Sequence, residues 1–566
     1  MPTRRPRPTS LDPRELGFTP RRPVPWLAPL LLLSTGLRTV LAILFGAYLD
    51  KRELQASLPS EVPDELGTGG ELWFDYIADL GDGFDATYSM AYLLAQPQLG
   101  LDGARLPRGQ VLVMGGDQVY PTASAPAYED RFKGPYTAAL PCPPEEGPQP
   151  SLYAVPGNHD WYDGLTAFLR LFTRRRDAAI GGWRTRQSRS YFAVHLPAHW
   201  WFFALDEQFG AYIDDPQLTY FEQAARELGP DDRVILAVPE PSWVKTRANP
   251  QAYDAIDYFI RTMIAPTGAR VPLMLSGDLH HYAHYSGPDR DFITCGGGGA
   301  YLYPTHVLPT SIEVPPRETM SRRSSVSRAY DLVETFPTAA TSRRMALGIF
   351  GNLPLRNKGF VALLGGLHAL LMLAIAGIAT QRMTGGDDTG VRLFSIPLLL
   401  MVGITLLGAA FFAKPPTASG GHSLKEWVLG ILHGLAHVGL AVIGTWAWLQ
   451  FPFADWVWPV PFLLAVVFYA PVAGLVASQL AALYLLIAGS LGVNVNELFA
   501  GQGIEDAKCF LRLHIGGDGT LTVYPIGVDK VCHRWRANPS GRDPTPWIEP
   551  VEPLTWHAAG TPFTVR

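Results

Sequence analysis

Five segments of the chain combine an apolar run with side chains that can bind metal ions or transfer protons. The runs are rich in β-branched or aromatic residues and break at glycine or proline, the pattern of buried strands that lead into loops. They read FDYIADLGDG from Phe74, VLVMGGDQVYP from Val111, SLYAVPGNHDWYDG from Ser151, VILAVPEPSW from Val234 and PLMLSGDLHHYAHY from Pro272. Their chemistry-bearing residues are Asp79, Asp117, Tyr120, Asn158, His159, Asp160, Glu240, Asp278, His280 and His281. The sequence therefore predicts that these side chains gather at one edge of a sheet.

Oxygen and imidazole donors in such positions are the ligands that two hard or borderline cations about 3.5–4 Å apart require. One carboxylate can bridge both cations, and the cations lower the pKa of a bound water until hydroxide forms near neutral pH. That hydroxide can attack phosphorus. An aspartate after a single strand is ordinarily a helix cap, and a single histidine is ordinarily a packing residue. The prediction therefore depends on the ordered set and not on any one member.

The ordered blocks DLGD, GGDQVY, GNHD, PEPSW and GDLH resemble the calcineurin-like metallophosphoesterase superfamily over about residues 71–300. GNHD after an apolar strand and after GGD is the specific part, whereas the other blocks are weak by themselves. The first block has the D-x-G form, and Tyr120 stands three residues after Asp117. These features are most similar to the purple acid phosphatase-like branch, in which a tyrosine ligates ferric iron. The resemblance implies an α/β fold, a four-layer α-β-β-α sandwich of two mixed sheets flanked by helices.

Carried over position by position, the resemblance implies a binuclear centre that holds two divalent or mixed-valence ions of Mn, Mg, Fe or Zn. The implied ligands are Asp79, Asp117, Tyr120 and His280 for metal one, and the bridging Asp117 with Asn158 for metal two. His159 would donate a hydrogen bond or a proton to the phosphate or the leaving group, and Asp160 would orient its ring.

Two positions depart from the family pattern, and both changes affect metal two. Pro239 stands where the family has the histidine of H-x-P, and Asp278 stands where it has the first histidine of GHxH. We hypothesise that Asp278 replaces that histidine as an oxygen ligand and that Glu240 swings towards the site. Harder ligands would favour magnesium or manganese over zinc. Glu240 and His281 are possible ligands or neighbours of ligands.

The composition indicates a part that is soluble in lipid. Charged residues make up 17% of the 566-residue chain, hydrophobic residues make up 47%, and the mean hydropathy is +0.08. Ordinary soluble chains have about 25% charged residues. The net charge of −5 provides no overall basic field, so no nucleic-acid partner is expected. The four cysteines lack CxxC spacing, which favours neither a disulfide framework nor a thiolate zinc site.

Four apolar stretches late in the chain predict an all-α transmembrane bundle over residues 359–492 and, with it, a lipid bilayer as partner. The stretches are residues 360–380, 393–413, 427–449 and 456–491. The first three match the roughly 20 residues that cross a bilayer. The fourth is either one overlong tilted helix or a tight helical pair interrupted near Pro471 and Gly474, and we take it as one crossing.

Residues 26–49 form a further apolar stretch, which Arg38 divides in two. A central arginine costs about 2.5–3.5 kcal/mol on insertion scales, so we predict an interfacial or packed helix. Basic residues in the short loops place residues 50–358 and the C-terminal tail in the cytoplasm. If residues 26–49 span the membrane, the catalytic domain is extracytoplasmic instead.

The resulting domain organisation has six parts. They are a basic, proline-rich leader (1–25), an apolar helix with linker (26–70), the metallophosphoesterase domain (71–315), a linker (316–358), the bundle (359–492) and a tail (493–566). Alternating residues on both sides of Gly516–Gly519 predict a β-hairpin in the tail, and the small β element so formed is expected to pack on the phosphoesterase domain.

Three weaker features have open interpretations. Arginines after the GNHD block could steer a phosphorylated substrate or could form a solvated helix and loop; they are Arg174, Arg175, Arg176, Arg184, Arg186 and Arg189. The glycines of residues 295–300 are expected to form a tight turn near the site. His433 and His437 lie one turn apart in an apolar stretch and His368 lies in another, where packing or an interhelical hydrogen bond is favoured over a metal or haem.

The sequence thus favours a membrane-anchored phosphoesterase, which hydrolyses a phosphate ester through a metal-activated hydroxide at a binuclear site. The alternative is a catalytically weak or inactive domain that binds metal or phosphate and regulates the membrane bundle. Pro239 and Asp278 favour this alternative, because metal two then lacks two of its ligands.

Overall fold

The computed structural model describes residues 7–46, 55–58, 64–67, 69–173, 178–207, 213–317, 325–383, 388–413, 423–457 and 459–565. The chain divides into two compact units. We call Met1–Val24, Leu37–Ser342 and Ile504–Arg566 the polar unit. We call Pro25–Gly36 and Arg343–Gly503 the helical unit.

Sheet one of the polar unit has nine strands within the described residues. In spatial order they are Asp64–Glu65, Phe192–Leu196, Trp200–Ala204, Arg233–Val238, Arg270–Ser276, Asp291–Cys295, Tyr282–Ser286, Arg328–Phe336 and Ser311–Val314. Arg233–Val238 and Arg270–Ser276 are parallel neighbours at its centre. Both strands are buried except at their first residue, as expected for parallel strands covered on both faces.

Sheet two also has nine strands among the residues described. Their order is His557–Ala558, Leu521–Val528, Lys508–Ile515, Leu72–Ile77, Val111–Met114, Ser151–Ala154, Trp183–Thr185 and Ala179–Ile180, with Phe563–Val565 paired to Leu521–Val528. The three strands from Leu72 to Ala154 run parallel. Their carboxyl ends therefore lie at one edge of the sheet, which is where Asp79, Asp117 and Asn158 follow them.

The C-terminal hairpin is an integral part of sheet two and not a separate small element. Lys508–Ile515 pairs antiparallel with Leu521–Val528 on one side and with Leu72–Ile77 on the other. The fully buried Arg512 binds Asp75 through Nε–Oδ1 and Nη2–Oδ2 contacts of 2.7 and 3.0 Å. Its Nη1 also donates to the Leu106 carbonyl at 3.1 Å. Opposite charge and three hydrogen bonds thus satisfy this buried guanidinium.

Helices of the polar unit share apolar clusters with strands of both sheets. They include Phe84–Ala95, Gly134–Ala139, Asn158–Trp161, Thr166–Phe172, Asp215–Ala225, Ser242–Lys245 and Asp254–Phe259. Helix Phe84–Ala95 contributes Tyr88 and Met90 to the apolar cluster that also holds Phe510 of sheet two. Between the sheets, Phe74 and Phe202 pack edge to face with ring centroids 6.3 Å apart.

Within the described residues, the helical unit contains four helices that are long and apolar enough to cross a membrane. They are Lys358–Thr380, Val391–Phe412, Leu424–Trp448 and Val460–Ser490. The last is a single candidate span of 31 residues, as the sequence analysis assumed. The chain is therefore an integral membrane protein by the length and composition of these helices.

Glycines allow the spans of the helical unit to approach closely. A Cβ at Gly365 would lie 2.4 Å from the Ala470 carbonyl oxygen, and one at Gly474 would lie 2.5 Å from the Val361 carbonyl oxygen. Lys358–Met383 and Ala470–Ser490 thus pack backbone against backbone, the usual use of small residues between membrane helices. Near the N-terminus, Pro29–Gly46 is an 18-residue helix, while residues 47–49 of the apolar stretch predicted there lie outside the described residues.

Candidate active site

Three aspartates, two of them buried and the third partly exposed, stand at strand ends of the polar unit in an unusual backbone conformation. Asp79, Asp117 and Asp278 have φ angles of 61, 49 and 68°, in the left-handed region. Aspartate tolerates this region better than most residues, yet each instance costs free energy, and such residues concentrate at functional sites. The conformation thus singles out the three carboxylates from the other polar residues of the five segments.

The hydroxyl of Tyr120 joins the two sheets at the centre of the cluster. It lies 2.9 Å from Asp79 Oδ1, 3.1 Å from Asp117 Oδ2 and 3.1 Å from His280 Nε2. Tyr120 and Asp79 are fully buried, and Asp117 and His280 are nearly so. The structure therefore brings together all four side chains that the sequence analysis assigned to metal one.

A backbone carbonyl fixes the tautomer of His280. Its Nδ1 lies 2.8 Å from the Tyr301 carbonyl oxygen, which can only accept, so Nδ1 must carry the proton. In the neutral ring, Nε2 then presents a lone pair towards Tyr120 and towards Asp79 Oδ1, which is 3.7 Å away. A ring nitrogen that is oriented in this way is typical of metal-binding histidines.

The GNHD turn wraps around Asp117. The amide of His159 donates to Asp117 Oδ1 at 2.8 Å, and a Cβ at Gly157 would lie only 2.2 Å from the same oxygen. On the opposite side of the cluster, a Cβ at Gly296 would lie 2.3 Å from Asp79 Oδ2. Because Gly157 and Gly296 have no side chain, the carboxylates of Asp117 and Asp79 can lie directly against the backbone there.

The ring of His159 is held by a carbonyl, whereas the sequence analysis expected Asp160 to orient it. His159 Nδ1 donates to the Pro121 carbonyl at 2.6 Å. Asp160 Oδ2 accepts from the amides of Gly157 at 2.9 Å and Gln118 at 3.3 Å. Its Oδ1 accepts from the hydroxyl of Tyr128. These contacts give Asp160 a role in shaping the GNHD turn.

Two of the residues predicted near metal two, Asp278 and Glu240, form ion pairs with a lysine. Lys245 Nζ lies 3.0 Å from Asp278 Oδ2 and also donates to Glu240 Oε2. Asn158 Nδ2 donates to the Tyr162 hydroxyl at 3.1 Å. Pro239 lies near Gly116, since its Cβ is 3.8 Å from the position of a Cβ at Gly116, and its side chain has no donor atom. The two halves of the predicted binuclear centre therefore differ.

Other residues singled out in the sequence lie outside this cluster or outside the described residues. His281 Nδ1 donates to the Tyr303 carbonyl at 3.2 Å, and His284 Nε2 contacts Asp291 Oδ1 at 2.9 Å. Arg186 donates to Ser151 Oγ at 3.3 Å and Arg189 to the Leu58 carbonyl at 3.0 Å. Residues 174–176, with three of the predicted arginines, are not among those described.

Burial and mutual repulsion set the electrostatics of the cluster. Burial, together with the charges of Asp117 and Asp278, raises the pKa of Asp79 well above its ordinary value. Burial and Asp278 also raise the pKa of Asp117 to about 7. Burial lowers the pKa of His280 to about 3 and that of His159 to about 4, so both rings are neutral near pH 7. A cation between these groups would relieve the repulsion of the carboxylates.

The donor set at Tyr120 is chemically suited to one metal ion. Among the described residues, no three His, Cys, Asp or Glu side chains are close enough to hold an ion by themselves. Here, however, a hydroxyl with one proton faces three acceptors at 2.9–3.1 Å, so one proton cannot satisfy them all. Ligands that bind a cation at about 2.1 Å in octahedral geometry stand about 3 Å apart.

Three imidazoles form a row inside the helical unit. His368 Nε2 lies 3.0 Å from His437 Nδ1, and His437 Nε2 lies 3.0 Å from His433 Nε2. The ring of His433 stacks on Tyr484 with centroids 4.0 Å apart. The contact between His368 and His437 joins two helices, which is the interhelical hydrogen bond that the sequence analysis favoured over a metal or haem, whereas His437 and His433 lie on the same helix.

Comparisons with known proteins give little support for an assignment. No protein-family model matches the chain, and no curated protein sequence matches it. Similar solved structures include GAP50, the anchor in the inner membrane complex of Plasmodium, with 14% identity over 41% of this chain and 74% of that chain and a TM-score of 0.31. They also include PhoD, with 13% identity over 43% of this chain and 59% of that chain and a TM-score of 0.28. Interpretation of the site therefore depends on its own contacts.

Four groups of the site were missed by the sequence analysis. They are Lys245, the Tyr128 hydroxyl and the carbonyl groups of Pro121 and Tyr301. Only Lys245 had a usable signal, since it stands two residues after the PEPSW block. A lysine two residues after an identified strand-end motif belongs to the same loop or short helix and can reach the same site.

Proposed function

We propose that the chain is a membrane-anchored, metal-dependent phosphoesterase that hydrolyses a phosphate ester at the cluster around Tyr120. The observation that carries the proposal is the meeting of Asp79, Asp117 and His280 at one buried hydroxyl. Buried acceptors that face one another are costly unless a proton or a cation joins them. A single cation would join all three and the phenol oxygen.

When bound, a metal ion would supply Lewis acidity for the attack of water on phosphorus. The chain's own residues prepare for that ion. Asp79, Asp117, Tyr120 and His280 would hold it, and the Tyr301 carbonyl keeps the lone pair of His280 on Nε2. The amide of His159 fixes one oxygen of Asp117 and leaves the other directed at Tyr120.

In the proposed reaction, the oxygen of water forms a bond to phosphorus and the ester P–O bond breaks. Water loses one proton and the leaving oxygen gains one, so the products are an alcohol and a phosphate and no redox partner is needed. His159 can transfer this proton at Nε2, because its Nδ1–H is already donated to Pro121. In the neutral ring Nε2 accepts the proton first and then delivers it to the leaving oxygen.

Support for a four-layer arrangement of the polar unit comes from its two covered sheets. Phe74 and Phe202 pack between the sheets, and separate apolar clusters join each sheet to helices. We propose the α-β-β-α order on this basis. We also propose that the polar unit faces the cytoplasm, because Arg343, Arg344 and Arg356 precede the first span and Lys358 begins it. Protease cleavage of this unit in sealed right-side-out vesicles would contradict that orientation.

The second candidate function is a metal or phosphate sensor without turnover. One observation favours it: Lys245 already pairs with Asp278 and Glu240, and Pro239 offers no ligand, so a second metal has few donors. The geometry at Tyr120 favours catalysis, because a sensor has no need of a proton-transferring imidazole beside the cluster.

Hydrolysis of an aryl phosphate monoester and diester by the purified full-length protein, with added Mn, Mg, Zn or Fe, decides between the two functions. We expect turnover that is lost in Asp117→Asn and strongly reduced in His159→Ala. Asp231→Asn, at an exposed loop position, is the matched control and should behave as the wild type. Metal binding without turnover would establish the sensor, and turnover that survives Asp117→Asn would place the active centre elsewhere.

A further inference from the structure

A lysine occupies the side of the cluster where the family pattern places a second metal ion. Lys245 ends the short helix Ser242–Lys245, which follows strand Arg233–Val238 at the centre of sheet one. Its ammonium contacts Asp278, 3.0 Å away, and Glu240. These are the two carboxylates that the sequence analysis offered as replacement ligands for metal two.

The ammonium already performs the electrostatic task of a cation there. Although burial opposes its charge, the carboxylates of Asp278 and Glu240 raise the pKa of Lys245. A dication that bound Asp278 and Glu240 would have to displace this ammonium or lie against it, and like charges a few ångströms apart repel strongly in a half-buried site.

We propose that the site holds a single metal ion, at Tyr120, and that the ammonium of Lys245 stands in place of the second ion. Asp278 connects the two positions, since its amide donates to Asp79 Oδ2 at 2.9 Å while its carboxylate holds Lys245. The positive charge on this side of the site is therefore part of the chain, and it is present whether or not metal ions are available. The inference rests on the proposed phosphoesterase function.

This charge arrangement favours a phosphodiester over a phosphomonoester. The carboxylates of Asp79, Asp117, Asp278 and Glu240, one ammonium and one divalent ion carry a net charge of about −1, whereas a second divalent ion in place of the ammonium would make it about 0. A monoester near neutral pH carries about two negative charges and a diester carries one. The singly charged diester therefore meets less repulsion in a site with one metal ion.

Elemental analysis of the full-length protein in detergent, after equilibration with excess Mn²⁺ and removal of free ion, tests the stoichiometry. We expect one ion per chain in the wild type and two in Lys245→Met, which frees both carboxylates. Lys245→Arg keeps the positive charge and should retain one ion. The control is Lys133→Met, because Lys133 and Glu129 form an ion pair of similar exposure, 38 and 40%, that involves none of the four carboxylates at the cluster. It should bind as the wild type does.

Rates on an aryl phosphate diester and monoester give a second measurement on the same samples. We expect a diester-to-monoester ratio above one in the wild type and in Lys245→Arg, and a ratio lowered about tenfold or more in Lys245→Met, equivalent to about 1.4 kcal/mol. Two ions in the wild type, or a ratio that Lys245→Met leaves unchanged, would overturn the inference. If Lys245→Met does not fold, the wild type and Lys245→Arg still decide it. Failure of the proposed function is distinct, because the wild type would then show no turnover with any metal.

Discussion

The polar unit and the helical unit bury titratable groups in opposite ways. The polar unit places charges in buried or partly buried positions and matches them with opposite charges, fully buried at Arg512 and Asp75 and partly exposed at Lys245 and Asp278. The helical unit buries the imidazoles His368, His437 and His433, which contact one another in a row. Each arrangement suits its surroundings, because an uncompensated charge is far more costly in an apolar environment than a neutral ring.

The difference teaches what makes a cluster a candidate for metal chemistry. At Tyr120, anionic oxygens and an imidazole nitrogen from three chain segments converge on one atom. In the row of imidazoles, each contact joins a nitrogen of one ring to a nitrogen of the next ring. These nitrogens are therefore already engaged with one another. Histidine content alone therefore does not distinguish the two regions, whereas convergence with carboxylates does.

The largest expected effect compares the two clusters directly. Asp79→Asn removes a charged acceptor at Tyr120, and we expect phosphate ester hydrolysis to fall by about 10³-fold, since even partners outside the ligand set cost 10–100-fold. His437→Leu, in the row, should leave kcat/KM within about twofold, because that row takes no part in the proposed reaction. Steady-state kinetics of both variants checks this. A comparable loss of hydrolysis in His437→Leu would contradict the conclusion that only the cluster at Tyr120 takes part in the reaction.

The second prediction tests charge matching in the polar unit. Arg512→Met leaves Asp75 buried without its partner, so we expect a loss of about 3–5 kcal/mol in stability, seen as a lower thermal midpoint in detergent. The control is Arg536→Met, which removes an exposed ion pair with Glu549 and should cost less than about 1 kcal/mol. Equal effects of the two variants would mean that the burial of Arg512 is not what makes it important.

A third prediction concerns the pH dependence of stability. Burial lowers the pKa of Lys508 to about 8 from its ordinary 10.5. Between these values the unfolded chain binds a proton that the folded chain does not, so stability falls as the pH is lowered from about 10.5 to 8 and the loss is complete below that. Lys508→Met should remove about 3 kcal/mol of this penalty at pH 7 and much less at pH 10.5.

Thermal midpoints of the wild type and Lys508→Met across this pH range measure the effect. Lys530→Met, at an exposed position nearby in sequence, serves as the control and should follow the wild type. A constant difference between wild type and Lys508→Met at all pH values would show that Lys508 titrates at its ordinary pKa.

The smallest expected effect lies in the helical unit. His437→Leu deprives His368 and His433 of their hydrogen-bond partner, which should destabilise the unit by about 1–3 kcal/mol. Ile443→Ala on the same helix alters an exposed side chain and should change the midpoint only slightly. Differential scanning fluorimetry in detergent compares the two. An unchanged thermal midpoint in His437→Leu would show that the row of imidazoles does not stabilise the helical unit. The row would then need a different explanation.

Local pattern located the strand ends and the membrane helices. Apolar runs that break at glycine placed Asp79, Asp117 and Asp278 directly after strands, because buried strands must end where the chain turns to solvent or a site. Apolar length alone gave the four candidate spans. The turn at Gly516–Gly519 likewise marked the hairpin of Lys508–Ile515 with Leu521–Val528.

Such local patterns did not predict which strands pair or which groups form hydrogen bonds when the partners are far apart in the chain. The tail was expected to be a small element packed on the polar domain, yet it supplies strands beside Leu72–Ile77. Asp160 was expected at the ring of His159, where the Pro121 carbonyl lies instead. Backbone carbonyls are present at every residue, so no residue type reveals which one will accept a given imidazole proton.

The sequence by itself determined which residues can do chemistry and approximately where the strands of the site and the membrane helices lie, because these follow from side-chain type and from periodicities of a few residues. Only the tertiary structure decided which of those residues meet. The Tyr120 hydroxyl contacts acceptors that follow strands of both sheets. Lys245 forms ion pairs with Asp278 and Glu240. The physical reason is that distances of about 3 Å between side chains depend on strand order and on the backbone angles at three aspartates, which no local pattern encodes.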